Sequence, residues 1–527
     1  MLKPVVRRPV LAALVALALS FTAQVGVAQK SGAQQKVPTP PKQVLILATS
    51  DEHGWMSPLT SRNSDTFQGG MAYLMGQLVG KERYSPQNAV LVSGGDMWTG
   101  PYESTVLQGR PMVQVMNAMG YDAASLGNHE FDFGPDALAR RASEASFPLL
   151  AANVYQRGTR QNPRFVRPWT ITEAGGVKVG LIGLSTVETP HTTDKRNVGG
   201  FEFGPYLEAL QREVPALKAA GAQVIVLLAH ADLPEMKPLA PHLRAMGIHL
   251  VICGHRHVSS LETDDPTPGN PVDDVIFCNP GGYARAYCRV VLTLDGDNFA
   301  LQGTRVTVEP VAGNIKTPNY APHDGLMGVI AEARLQADAR GAELLAEVPQ
   351  GLHRQFPVHT MGYLVVDSWM EALPHVDAAV TNMGGFRQDV EGPAIHMKDL
   401  IGAMPFDNYL LVVSLTGEQL IEVLSNPQSI PGGLTVEFKQ ETPSSKRTIL
   451  NVTDRRGAPL DRKRTYRVVI NDFMYRGGDQ YRFKEYDANP EETALHWREP
   501  VARYLRAQAK GGKPVTPSTT PRLRLVP

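Results

Sequence analysis

Five short stretches of the chain carry side chains capable of chemistry: Asp51-Glu52-His53-Gly54, Gly94-Gly95-Asp96, Gly127-Asn128-His129-Glu130-Phe131-Asp132, His230, and Gly254-His255-Arg256-His257. Carboxylate, amide and imidazole donors without thiolates suit borderline divalent cations such as Zn, Mn, Fe or Co better than Ca or Mg. Asp51, His53, Asp96, Asn128, His230, His255 and His257 make a surplus over the roughly four donors one such ion needs. The surplus points to two ions, with Asp96, from the middle loop, as the carboxylate that would bridge them at about 3.5–4 Å. Each fragment alone says little, because a lone loop histidine is more often a surface or hydrogen-bonded residue than a ligand. The conjunction says more: random placement of the chain's 14 His would not put four of them each after a Val/Ile/Leu-rich run and beside glycines that let the backbone turn sharply. His191, His249 and His323 lack that setting and read as ordinary residues.

Donors so far apart in sequence need a scaffold that gathers them. Apolar runs at residues 43–49, 89–93, 123–126, 177–184, 223–229 and 249–253 alternate with helix-like stretches at 111–119, 135–144 and 206–220. This is the alternation of an α/β domain around a central sheet. In open α/β sheets, ligands bind beyond the carboxyl ends of strands, so the five loops are expected to converge on one crevice. Around residues 310–322 the pattern breaks into Pro, Gly and Asn. A helix-like segment at 326–345, with Glu332, Arg334, Asp338 and Arg340 on outward faces, then reads as a joint between domains. The expected division is 43–310, a linker with helix at 311–347, a second α/β region at 348–510 with strands near 410–415, 434–438 and 465–470, and a tail at 511–527.

The 527 residues carry 52 basic and 52 acidic side chains, so the electropositive footprint of a nucleic-acid binder is missing. Lys3, Arg7 and Arg8, an apolar run from Val10 to Val27, and Gly26-Val27-Ala28 read as a signal peptide spanning residues 1–28, cleaved after Ala28 and followed by a leader at 29–42. An uncleaved anchor is the rival reading. No later run is long enough to cross a bilayer, so a periplasmic or secreted protein, free of the membrane once the signal is removed and monomeric, is expected. Of three cysteines, Cys278 and Cys288 flank a Gly-rich turn and could pair across a hairpin, but buried free thiols are the simpler expectation.

At these motifs the sequence resembles the calcineurin-like metallophosphoesterases, and among them the two-domain 5′-nucleotidase / UDP-sugar hydrolase family, over nearly all of the chain after residue 28. The resemblance implies an N-terminal four-layer α/β/β/α metallophosphoesterase sandwich and a C-terminal α/β 5′-nucleotidase substrate-binding domain. It implies two divalent cations, Zn or Mn first and then Co or Fe. One would be held by Asp51, His53 and His257, the other by Asn128, His230 and His255, with Asp96 shared. His129 and Asp132 match the family's catalytic dyad. Asn382-Met383-Gly384-Gly385-Phe386-Arg387 is similar to the family's phosphate and base loop, with Asn382, Gly384, Gly385 and Arg387 its contacts. Phe406 and Phe473 match the aromatic walls, and Asp479 the ribose contact.

The sequence departs from the family pattern in places. Ser50 and His257 stand where relatives commonly carry Asn and some carry Gln. Arg354 aligns one residue away from a phosphate-binding arginine, and Phe386 replaces a smaller aliphatic residue, with room to reshape the base pocket. The implied activity is release of phosphate from nucleoside 5′-monophosphates by hydroxide generated on the metal pair, with a nucleotide and no nucleic acid polymer as partner. Alternatives on the same fold are a UDP-sugar pyrophosphatase, a 2′,3′-cyclic-nucleotide phosphodiesterase with 3′-nucleotidase action, or a sulfur-oxidation hydrolase. A non-catalytic nucleotide-binding protein is the alternative from another class.

Overall fold

The computed structural model describes residues 39–60, 65–257, 259, 272, 274–356, 358–512 and 514–526. The expected signal peptide and most of the expected leader lie outside the described residues.

Alternating side chains build the first half. Along the strand Lys42–Thr49, Val44, Ile46 and Ala48 face a second sheet while Leu47 faces helices. This strand sits inside a six-stranded sheet, parallel to Ala89–Ser93 and antiparallel to Ala286–Leu294. Ala123–Ser125 and Leu149–Leu150 extend the parallel side, and Leu301–Pro310 closes the other edge. The facing five-stranded sheet runs Ile276–Cys278, Ile248–Cys253, Val224–Ala229, Val177–Leu184, Trp169–Ala174. Val226 and Leu228 enter the core between the sheets, and Leu227 and Ala229 turn to the outer helix Tyr206–Ala219. With the helices Met71–Glu82 and Arg110–Met119 on the far side, the order is helix, sheet, sheet, helix. Each fully buried Val, Ile or Leu in these layers contributes about 1.5–3 kcal/mol relative to exposure.

Two expectations change here. Cys278 and Cys288 are bonded to each other, with Cα atoms 6.6 Å apart, so the free-thiol reading is corrected. The partners do not lie across a hairpin: Cys278 belongs to one sheet and Cys288 to the other, and the bond crosses the inter-sheet core. The helix after the Pro-rich break spans Asp324–Gly341, capped by His323, and residues 344–347 form a strand paired with Ala394–His396 instead of continuing it. Leu326, Ile330 and Ala333 of this helix lie in the core of the first half, and the Tyr102 hydroxyl donates to the Ala337 carbonyl at 2.8 Å. The segment read as a joint thus packs into the first half and reaches the second through Lys398 Nζ, 3.3 Å from Asp338 Oδ1.

The second half is built on a mixed sheet ordered Ser429–Gly432, Ala378–Asn382, Thr465–Asn471, Tyr409–Thr416, Glu491–His496. Val469 points to the helices Thr360–Ala372 and Glu499–Lys510, while Val468 and Ile470 point to Gly417–Leu424. Among the described residues, no helix is long and apolar enough to cross a membrane.

Candidate metal centre and substrate cleft

The loops leaving the carboxyl ends of Lys42–Thr49, Ala89–Ser93, Ala123–Ser125, Val224–Ala229 and Ile248–Cys253 meet at one rim of the sandwich. Backbone bonds fasten them: Asp51 N–H to Gly95 O at 2.8 Å and His53 N–H to Asp96 O at 2.9 Å. Asp51, His53, Asp96, His255 and His257 adopt left-handed φ values of 53°, 45°, 58°, 87° and 59°. Non-glycine residues rarely take this conformation, and such strain persists only where the surroundings enforce it.

Ligand-capable atoms of Asp51, His53, Asp96 and His257 lie within 4.8 Å of one another, and so do those of Asp96, His230 and His255. Asp96 belongs to both groups. Hydrogen bonding shows that the donors fit cations. His53 Nδ1 lies 2.8 Å from Thr99 O and His230 Nδ1 2.9 Å from Gly94 O. A carbonyl only accepts, so both rings carry a proton on Nδ1. His53 is left with an inward Nε2 lone pair, whereas His230 Nε2 lies 3.1 Å from Asp96 Oδ2 and, against the cost of burial, that carboxylate raises the imidazole to about 10, so a proton stands where a cation would bind. His255 Nδ1 and Asn128 Oδ1 are buried without a protein hydrogen bond, as atoms that ligate a cation would be. Ser50 Oγ donates to Asp51 Oδ2 at 2.6 Å and holds that carboxylate in place.

Burial, the largest influence, pushes Asp51 up to about 6. Burial and then the Arg387 charge keep His53 and His257 well below the usual imidazole range, which leaves them neutral and able to ligate. For Asp96 the burial penalty is outweighed by the positive charges of His230 and His129 and by the hydrogen bond from His230, which hold it ionised.

His129 and Asp132 are joined Nδ1 to Oδ2 at 2.7 Å, and the His129 amide donates to Asp96 Oδ1 at 2.8 Å. The dyad is therefore fastened to the carboxylate common to both clusters. Thr193 Oγ1 donates to Asn128 O at 3.0 Å and Asn197 Nδ2 to Asp132 O at 2.8 Å, bracing the stretch from behind. Glu130, which sequence reasoning passed over, accepts from the backbone of Asp96, Met97 and Gly127 and so ties two ligand loops together. Glu52, also passed over, accepts from Thr49 and Ser93 under the first loop. Their adjacency to His53 and His129 was the only sequence signal.

The opposite wall comes from the second half. A cleft of about 700 Å³ is lined by Asn128, His129, Asp132, His255 and His257 on one side and by Asn382, Gly384, Gly385, Arg387, Phe406, Phe473 and Asp479 on the other. Arg387 reaches to 3.3 Å from His53 Nε2. Asn382 Nδ2 donates to Asp479 Oδ2 at 2.7 Å and is itself held by Asn471 at 3.0 Å. Phe473 leans on backbone: a Cβ at Gly478 would fall 2.3 Å from its ring.

Two sequence expectations are not met. Arg354 does not line the cleft; its guanidinium bonds Asp389 Oδ1 and the Phe386 carbonyl, each at 3.0 Å, and braces the loop that carries Arg387. Phe386 turns away into the core beside Trp497, with ring centroids 6.3 Å apart, and so does not reshape the pocket. Asn408, Tyr409, Gln428 and Arg196 also line the cleft, without a local motif to announce them.

Residues 44–259 match the family model for calcineurin-like phosphoesterases, and residues 341–485 that for the 5′-nucleotidase C-terminal domain. The chain belongs to the calcineurin-like metallophosphoesterases that carry a 5′-nucleotidase C-terminal domain. A probable 5′-nucleotidase of Treponema pallidum is 25% identical over 88% of this chain and 92% of its own length. The 5′-nucleotidase of Vibrio cholerae is 25% identical over 83% and 86%. The crystal structure of a 5′-nucleotidase precursor from Thermus thermophilus has the same fold, with TM-score 0.76 and 24% identity over 92% of this chain and 99% of that one. As a member of this metallophosphoesterase family, the protein is a phosphoric ester hydrolase with a candidate metal-binding cluster.

Proposed function

We propose that this enzyme releases phosphate from nucleoside 5′-monophosphates outside the cytoplasm, using two divalent cations. The observation that carries the reading is that one continuous cleft joins the imidazole–carboxylate clusters to Arg387, Phe406, Phe473 and Asp479. Asp51, His53 and His257 would hold one cation and Asn128, His230 and His255 the other, with Asp96 common to both. When bound, the cations supply an acidified water and draw charge from the phosphoryl oxygens.

The remaining steps belong to the chain. Arg387, 3.3 Å from His53 Nε2, offers its planar fork to phosphate oxygens lying at the centre. Asp132 occupies His129 Nδ1, which orients the ring so that Nε2 protonates the leaving 5′-oxygen as the P–O bond breaks. Phe406 and Phe473 stack on the base for about 1–3 kcal/mol. Asp479 has one oxygen committed to Asn382 and the other remains for a ribose hydroxyl.

A panel of AMP, UDP-glucose, 2′,3′-cyclic AMP and 3′-AMP, assayed with Mn or Zn, tests the reading. The highest kcat/KM is expected on AMP, and a preference for any other member refutes the substrate assignment. Export is supported by the basic and apolar residues 1–28 and by the Cys278–Cys288 bond, which suits an oxidising compartment. An exported form whose mass begins after Ala28 is expected, and an unprocessed cytoplasmic form would overturn it.

A further inference from the structure

We propose that Tyr283 is a positioning residue that fixes the ring of His257 for cation binding. This rests on the two-cation reading above. Tyr283 Oη lies 2.9 Å from His257 Nδ1, while His257 Nε2 faces the centre, 2.8 Å from His53 Nε2 and 3.6 Å from Asp51 Oδ1. The bond from His53 Nδ1 to a carbonyl makes its own Nε2 a lone pair. For a cation to sit between the rings, His257 Nε2 must be a lone pair as well. Its proton then resides on Nδ1, and the tyrosine oxygen is the acceptor that holds it there.

His53 and His230 rest on backbone carbonyls, Thr99 O and Gly94 O. His257 rests instead on a side chain. That side chain is itself well held: Tyr283 has φ 64°, its amide donates to Asp51 O at 2.7 Å, and its ring packs against His257 with Arg285 above it at 5.0 Å. The loop bearing it is fixed at both ends by the Cys278–Cys288 bond. A loop 26 residues beyond His257 in the chain thus reaches back to set the direction of one ligand.

The test measures cation binding as well as turnover. Full-length protein and the variants Tyr283→Phe, His257→Ala and His257→Ala/Tyr283→Phe are titrated with Mn and with Co against a chelating dye, and the Co absorption bands are recorded. Tyr283→Phe is expected to weaken one of two cations by about 10- to 100-fold, leave the other unchanged and shift the Co bands. In the His257→Ala background the same change is expected to do nothing further, which separates an effect through His257 from general loosening of the fold. Wild-type affinity and spectrum in Tyr283→Phe would overturn the proposal. An equal loss in both backgrounds would overturn it too. If His257→Ala keeps both cations at full affinity, the ligand reading itself fails, and this inference with it.

Discussion

Gly127→Ala is a one-atom test of how closely the ligand loops are fitted. A Cβ on Gly127 would fall 2.0 Å from Asp96 Oδ1 and 2.7 Å from both its Cγ and its amide nitrogen. Side-chain Cβ atoms essentially never approach other atoms within 3.0 Å, so the carboxylate has to retreat by about 1 Å. It cannot retreat freely, because Asp96 Oδ1 accepts from His129 N–H and the Asp96 amide is held by Glu130. A displacement of about 1 Å in a catalytic constellation costs roughly 10²-fold, equivalent to about 2.7 kcal/mol of barrier. The expected result is a kcat/KM on AMP about 100-fold below wild type, together with weaker binding of both cations, since Asp96 sits in both clusters. Steady-state kinetics, elemental analysis and a thermal melt on the same preparation check it. Gly127 does not have a positive φ, so the backbone itself is unstrained, but the overlap with the Asp96 amide is expected to cost about 1–3 kcal/mol and lower the melting temperature. A folded variant with wild-type kcat/KM and metal content would refute the claim that Asp96 must stand where it does.

His129→Ala is expected to lower turnover by about 10²–10⁴-fold with the metal content unchanged; simultaneous loss of metal would move His129 into the ligand set. Phe406→Ala or Phe473→Ala removes one stacking wall worth about 1–3 kcal/mol and is expected to raise KM for AMP about 5- to 150-fold with a smaller effect on kcat, read from initial rates. Replacing both Cys278 and Cys288 by Ala opens a loop of sequence separation 10. This is expected to cost about 2.7 kcal/mol, seen as a melting temperature lower by about 5 °C; an unchanged melt would show that the surrounding core already constrains the loop.

Where strands end, the sequence was readable because buried parallel strands are short apolar runs and the turn after each must carry the polar side chains. Lys42–Thr49, Ala89–Ser93 and Val224–Ala229 announce themselves in this way, and the loops beyond them meet as the rule for α/β sheets requires. Features that depend on which distant elements face each other left no local trace. Cys278 and Cys288 are ten residues apart yet lie on different sheets. Arg354 sits close to an expected position, but a nearby Asp389 captures it. Phe386 is placed by Trp497, more than a hundred residues away. The helix Asp324–Gly341 reads as a connector by its charged outer face, whereas its inner face, Leu326, Ile330 and Ala333, joins a core assembled from residues far upstream.

The five left-handed residues at the rim bear on any attempt to transplant this site. Side chains of the right type, set at the ends of ordinary strands in another scaffold, would leave those strands at negative φ and point in other directions. A designer would have to copy the twisted main chain first, and choose residues that tolerate it, before the identity of the donors began to matter.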